Sequence, residues 1–144
     1  TGGVKGHYIG VMRPEFPGAD GLMNNSSVAA SEWVSHGGTA GDEVLLCEGM
    51  CLSTKRFLGT LDVYTSLYVV YLTAPADVLL ARRVARGVEK PRFSKATETR
   101  AHNLARWALE QGLCLRICDS NDLIDTEDTI LTAIQHLTTG DTDD

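Results

Sequence analysis

The chain has 144 residues, 43% hydrophobic and 22% charged, which is the size and balance of one globular domain with a sizeable core. Those proportions exclude disordered and collagen-like chains; no apolar run approaches the ~20 residues of a membrane span, and the opening TGGVKGHY lacks the regions of a signal peptide, so the expected location is the cytoplasm. The net charge of −6 is unevenly placed: residues 82–106 hold eight of the thirteen basic residues, whereas 119–144 hold eight acids and no lysine or arginine. A basic segment within an acidic protein argues for a local phosphate or carboxylate site rather than for nucleic acid wrapped along a surface.

In chain order, HYIGVM (7–12) reads as a short strand and RPEFPGADG (13–21), with two prolines and two glycines, as a loop. MNNSSVAASEWV (23–34) is expected to be a helix that starts near its asparagine and serine caps and ends in the glycine-rich SHGGTAGD. EVLLCEG (43–49) is a strand with Glu48 and Gly49 at its exit, and Ser53 and Thr54 open a helix toward Ser66. Val69, Val70, Tyr71 and Leu72 form the near-continuous apolar run of a parallel strand covered on both faces. Pro75 then suits a first helical turn, where its missing N–H costs nothing. Val78, Leu79, Leu80 and Val84 give that helix an apolar face, and Gly87 ends it. Residues 88–99 read as a polar, basic connection, 101–111 as a helix stopped by Gly112, LCLRICD (113–119) as a strand, and about 126–136 as the last helix, with an acidic tail over 138–144. Strands alternating with helices predict βαβ units, one domain and a mainly parallel α/β sheet, in which ligands bind at the C-terminal strand ends.

Glu48 is the sharpest candidate. A carboxylate leaving an apolar strand can hold Mg²⁺ or accept a proton from an attacking hydroxyl, and it can equally cap the next helix or pair with an arginine. Arg82, Arg83 and Arg86 gather in the last turns of their helix, and Arg92 and Lys95 follow across a glycine and proline connection. Planar guanidinium groups neutralise phosphoryl oxygens bidentately, and a mobile connection could exclude water over a substrate; macrodipole compensation by solvated arginines is the plainer alternative. Arg13 and Asp20 flank the loop after the first strand, where a second substrate could sit, although such residues also serve as turn formers. Cys47, Cys51, Cys114 and Cys118 form two C-x₃-C pairs, but most lie in expected strands, where cysteine packs as a small hydrophobe, and the spacing is not that of zinc knuckles. A disulfide is equally unexpected in a cytoplasmic protein. Trp33 and Trp107 fall in helical patterns and are expected in the core or an interface.

Taken in order, a strand ending in EG, a helix, a strand ending in TAP, a helix carrying RR and R before a basic connection, a helix, a strand and a last helix resemble the P-loop kinase group of NTPases over nearly the whole chain. FPGADGLMNNSSVAASEWV followed by VLLCEGMCLSTKRF looks most like the small P-loop kinase-like ATPases encoded by bacteriophages. The resemblance implies a three-layer α/β/α fold with strand order 2-3-1-4-5, ATP and Mg²⁺ as cofactors, and, if phage-encoded, the host cytoplasm as location. It implies Glu48 at the end of a Walker B-like strand, as metal and catalytic residue, and Arg82, Arg86 and Arg92 as catalytic cations. Arg83, Asp119, Ser120 and Asn121 would stand at the nucleotide, with the last three bordering the adenine. A lid would cover about 87–99, and Arg13 and Asp20 would bind a small-molecule acceptor, a nucleoside or nucleotide. No membrane is implied, and a homodimer is compatible.

One departure from the pattern matters. G-x-x-x-x-G-K-[ST] is absent, since Lys5 in TGGVKG is not followed by serine or threonine. The simplest account is N-terminal truncation, with the first, central strand and its P-loop upstream of Thr1, although methionine removal before a small Thr1 would give the same start. The absent strand would then lie between the strands ending at Glu48 and Thr73, leaving their inner edges unpaired and the fragment poorly stable. Two further readings remain open: a non-catalytic binding module derived from a P-loop protein, and an ATPase without an acceptor.

Overall fold

The computed structural model describes residues 6–9, 25–38, 44–87 and 94–139. They form four strands and five helices: β1 (Gly6–Ile9), α1 (Ser26–Ser35), β2 (Val44–Cys47), α2 (Lys55–Tyr64), β3 (Tyr68–Thr73), α3 (Ala76–Ala85), α4 (Lys95–Glu110), β4 (Cys114–Asp119) and α5 (Leu123–Thr139). The chain is mixed α/β, as its pattern predicts, and all its strand pairing among the described residues is parallel. It divides into two compact units, residues 1–67 with 136–144, and residues 68–135.

In the first unit β1 pairs with β2 in a two-stranded sheet, from Gly6 opposite Val44 to Ile9 opposite Cys47. Helix α1 buries Ser27, Ala30, Ser31 and Val34, a three- and four-residue spacing that draws one face, and packs on α2. Its buried serine is not left unsatisfied: Ser31 Oγ donates to the Ser27 carbonyl at 2.7 Å. Helix α2 starts where expected because Thr54 Oγ1 accepts from the Phe57 N–H at 3.1 Å. Phe57 and Leu61 then meet Ala30, Val34 and Leu52 in a small core, bordered by Ile9, Leu45 and Cys47.

The second unit holds β3 beside β4, with Tyr68 opposite Cys114 and Thr73 opposite Asp119. Two boundaries differ from expectation. Helix α4 begins at Lys95, inside the anticipated connection, because Ser94 Oγ accepts from the Thr97 N–H at 3.3 Å and sets an N-cap ahead of the polar turns. Helix α5 begins at Leu123 because Asp122 Oδ1 accepts from the N–H groups of Ile124 and Asp125 at 2.9 and 3.1 Å, and it runs on to Thr139, into the expected tail. Burial also departs from the sequence pattern. Residues 68–71 of β3 are only half-buried, Leu72 is 47% and Ile117 of β4 61% exposed, and no residue of α3 is buried. An apolar run with the composition of a doubly covered strand thus lies, among the described residues, in a two-stranded sheet. Ala105, Ala108, Cys118, Thr129 and Ala133 are the buried residues of α4, β4 and α5, and Leu113 is buried just before β4.

Candidate functional site

Glu48 sits one residue beyond β2, where Gly49, at a φ of +94° that suits glycine, turns the chain toward α2. Its carboxylate is solvent-exposed, and Tyr8 donates its hydroxyl to Glu48 Oε1 at 2.6 Å. Register explains the meeting. Tyr8 lies opposite Leu46 in the ladder, and residues 46 and 48 stand two apart, so a phenol projecting from that face of β1 reaches one pleat further to the strand exit. A hydroxyl donating to a carboxylate at this distance is a charge-assisted bond, and it orients Glu48. Sequence reasoning did not single out Tyr8; its alternation with the strand residues was visible, but the partner forty positions away was not.

In the second unit the structure joins Arg82 to Ser120. The Arg82 guanidinium donates from Nη1 to Ser120 Oγ at 3.1 Å and from Nη2 to the Ser120 carbonyl at 2.6 Å. Ser120 in turn donates both its N–H, at 2.7 Å, and its hydroxyl, at 2.9 Å, to the Thr73 carbonyl. The ladder between β3 and β4 is thereby extended one step past Thr73 and Asp119, and the C-terminal ends of both strands are tied to α3. Asp119 and Asn121 complete this loop: Asp119 Oδ1 accepts from the Asn121 N–H at 2.9 Å, and the Asp122 N–H closes the turn onto the Asp119 carbonyl at 3.2 Å. Both side chains are exposed. The buried Cys118 thiol, 3.3 Å from Asp125 Oδ2, fastens β4 to α5.

Arg83 lies in the last turn of α3 and Arg86 at its C-cap, both exposed. Arg86 stands four residues from Arg82 and so on the same helix face, with Arg83 turned to the side. Arg13, Asp20 and Arg92 lie outside the described residues, as do residues 88–93 of the expected lid, whose end from Lys95 on belongs to α4. Trp33, expected in the core or an interface, is 40% exposed, while Trp107 is half-buried.

The chemistry of these donors can be matched to the implied cofactors. Glu48 offers one hard, exposed oxygen ligand, which suits Mg²⁺, an ion that keeps several waters and draws its other ligands from phosphates. Among the described residues no group of three or more His, Cys, Asp or Glu side chains could hold a metal ion by itself. The cysteines form no disulfide, and burial pushes the Cys47 thiol up to about 12, so it is a packed neutral group. No helix among the described residues is long and apolar enough to cross a membrane. The chain matches no protein-family model, no curated protein and no solved structure.

Proposed function

We propose that this chain carries the Walker B-like strand, the cationic helix and the base-side loop of an ATP-dependent phosphotransferase of the P-loop kinase type, with a nucleoside or nucleotide as acceptor. The observation that carries the reading is the pairing of strands. In a 2-3-1-4-5 sheet, removal of strand 1 leaves strand 2 beside strand 3 and strand 4 beside strand 5, all parallel. The pairs β1 with β2 and β3 with β4 have that order and direction. The reading requires a phosphate cradle, and no stretch of the 144 residues supplies G-x-x-x-x-G-K-[ST].

In this reading Glu48, oriented by Tyr8, organises Mg²⁺ or takes the proton of the acceptor hydroxyl. Arg82 spends two of its five N–H donors on Ser120 and keeps three for an anion, so its fork holds the base-side loop and presents charge at the same strand ends. Arg86 and Arg92 add charge for the transferred phosphoryl group, Arg83, Asp119, Ser120 and Asn121 face the nucleotide, and Arg13 and Asp20 orient the acceptor. The alternative is a binding module without catalysis.

The test begins with the coding DNA upstream of Thr1, read for a strand followed by the cradle motif. The protein expressed from its own start is then given ATP, Mg²⁺ and a panel of nucleosides, with products identified by mass spectrometry. Phosphorylated nucleoside, lost by at least a hundredfold in Glu48→Gln, is the expected result. Turnover unchanged in that variant removes the role of Glu48; ADP without phosphorylated nucleoside makes the protein an ATPase; no nucleotide affinity at all leaves the binding module.

A further inference from the structure

A groove between β1 and α1 is the other built feature of the first unit. Ser26, Ala29, Ala30 and Trp33 recur along α1 at the spacing of one helix face and border an open cavity of about 340 Å³, whose opposite side is formed by His7 and Tyr8. Of this face core packing demands only Ala30, since α1 is buried through Ser27, Ala30, Ser31 and Val34. Trp33 is nevertheless held in place. Gly37 adopts a φ of +85° and the Gly38 N–H donates to the Trp33 carbonyl at 2.9 Å, so the helix ends by folding residue 38 back onto the indole. A Cβ at position 38 would run into the indole ring. His7 stands edge-on to it, with ring centroids 6.1 Å apart at 74°. An indole fixed on two sides and still 40% exposed is a preorganised stacking surface.

We infer that this groove receives the purine or pyrimidine base of a nucleoside or nucleotide, an inference that rests on the phosphotransferase reading and names where its acceptor is recognised. Aromatic walls suit a planar ring, which stacks on such side chains whatever its edge pattern. Alanines along one border let the ring come close to the helix backbone. The groove has the size of a small ligand pocket, far below the surface a protein partner needs. Among the described residues its lining includes no lysine or arginine, which suits an uncharged base. The hydroxyl of Ser26, at one end of the groove, supplies a polar contact.

The test uses the protein labelled with ¹⁵N at its two tryptophans, whose indole N–H signals are assigned with Trp33→Phe. Adenosine, guanosine, cytidine and thymidine are titrated separately, with ribose as control, and phosphorylation is assayed on the same samples with ATP and Mg²⁺. The expected result is a saturable shift of the Trp33 signal with at least one nucleoside and none with ribose. The Kd should rise at least tenfold in Ala29→Leu, a substitution at an exposed helical position that fills the groove, and in Gly38→Ala, which displaces the indole. Nucleoside phosphorylation without movement of the Trp33 signal, or binding that Ala29→Leu leaves unchanged, overturns the groove and spares the kinase reading. Binding at Trp33 with no phosphorylation supports the groove and removes the kinase reading. Neither binding nor phosphorylation overturns both.

Discussion

Replacing Arg82 by methionine keeps most of the side-chain volume and helix propensity while deleting the fork that ties α3 to Ser120. Two bonds are lost, one to Ser120 Oγ at 3.1 Å and a shorter one to its carbonyl at 2.6 Å. Hydrogen bonds to charged groups contribute about 1.5–3 kcal/mol each when buried. Arg82 is only half-buried, so water can replace part of what is removed, and the expected cost of Arg82→Met is about 1.5–2 kcal/mol in all. Lysine keeps the charge but not the planar fork, and Arg82→Lys should recover roughly half of that loss. Ser120→Ala removes one acceptor of the fork and leaves the carbonyl bond, so a double-mutant cycle should give a coupling of about 0.5–1 kcal/mol. Trp107 reports on the second unit alone, because Trp33 belongs to the first. Urea unfolding is therefore followed by Trp107 fluorescence in a Trp33→Phe background. A midpoint for Arg82→Met within about 0.3 kcal/mol of the parent at unchanged slope, or a coupling near zero, would refute the structural role of the fork.

Three further outcomes are expected. Phe57→Ala empties the centre of the first core, where Phe57 is 1% exposed, and should cost about 3–5 kcal/mol in the transition reported by Trp33; a loss below ~1 kcal/mol would show that this core does not hold the unit. Thr54→Ala removes the cap of α2 and should cost about 1 kcal/mol, whereas Thr54→Ser should be nearly silent. Cys47 should make stability fall with alkalinity. Its folded pKa of about 12 exceeds the ordinary 9.0, so below pH 9 both states keep the proton and nothing is lost. From there to pH 12 only the unfolded thiol ionises, and the loss from this group reaches about 1.4 kcal/mol by pH 10. The pH profile of Cys47→Ala should be flatter by that amount, and parallel profiles would contradict the burial of the thiol.

Element types were readable wherever a cap or an apolar run marked them. Thr54 announces α2, and VLLC and YVVYL announce strands, because these signals act within a few residues. Helices α4 and α5 were placed too late along the chain because Ser94 and Asp122, the residues that begin them, stand in stretches whose charge drew the reading toward connection and tail. The α3 stripe of Val78, Leu79, Leu80 and Val84 promised burial that is not found, since periodicity records what a helix could cover and not whether a partner is there. In the candidate sites the strand exits were legible and placed Glu48 and Ser120 at the ends of strands. Their partners were not, because Tyr8 to Glu48 and Arg82 to Ser120 span 40 and 38 residues and depend on ladder register, which no local pattern encodes.

That register also governs how the molecule must assemble. Gly6 meets Val44 and Tyr68 meets Cys114, so neither ladder can begin as a hairpin; each must close a loop of roughly forty residues before its first hydrogen bond forms. The helices inside those loops are local and can form in microseconds, whereas parallel pairing waits on a rare encounter. During that wait the strands VLLC and YVVYLT expose backbone donors and acceptors to any neighbouring chain. Refolding yield should therefore depend on protein concentration more steeply than on temperature, and dilution rather than cooling is the condition that favours the native pairs.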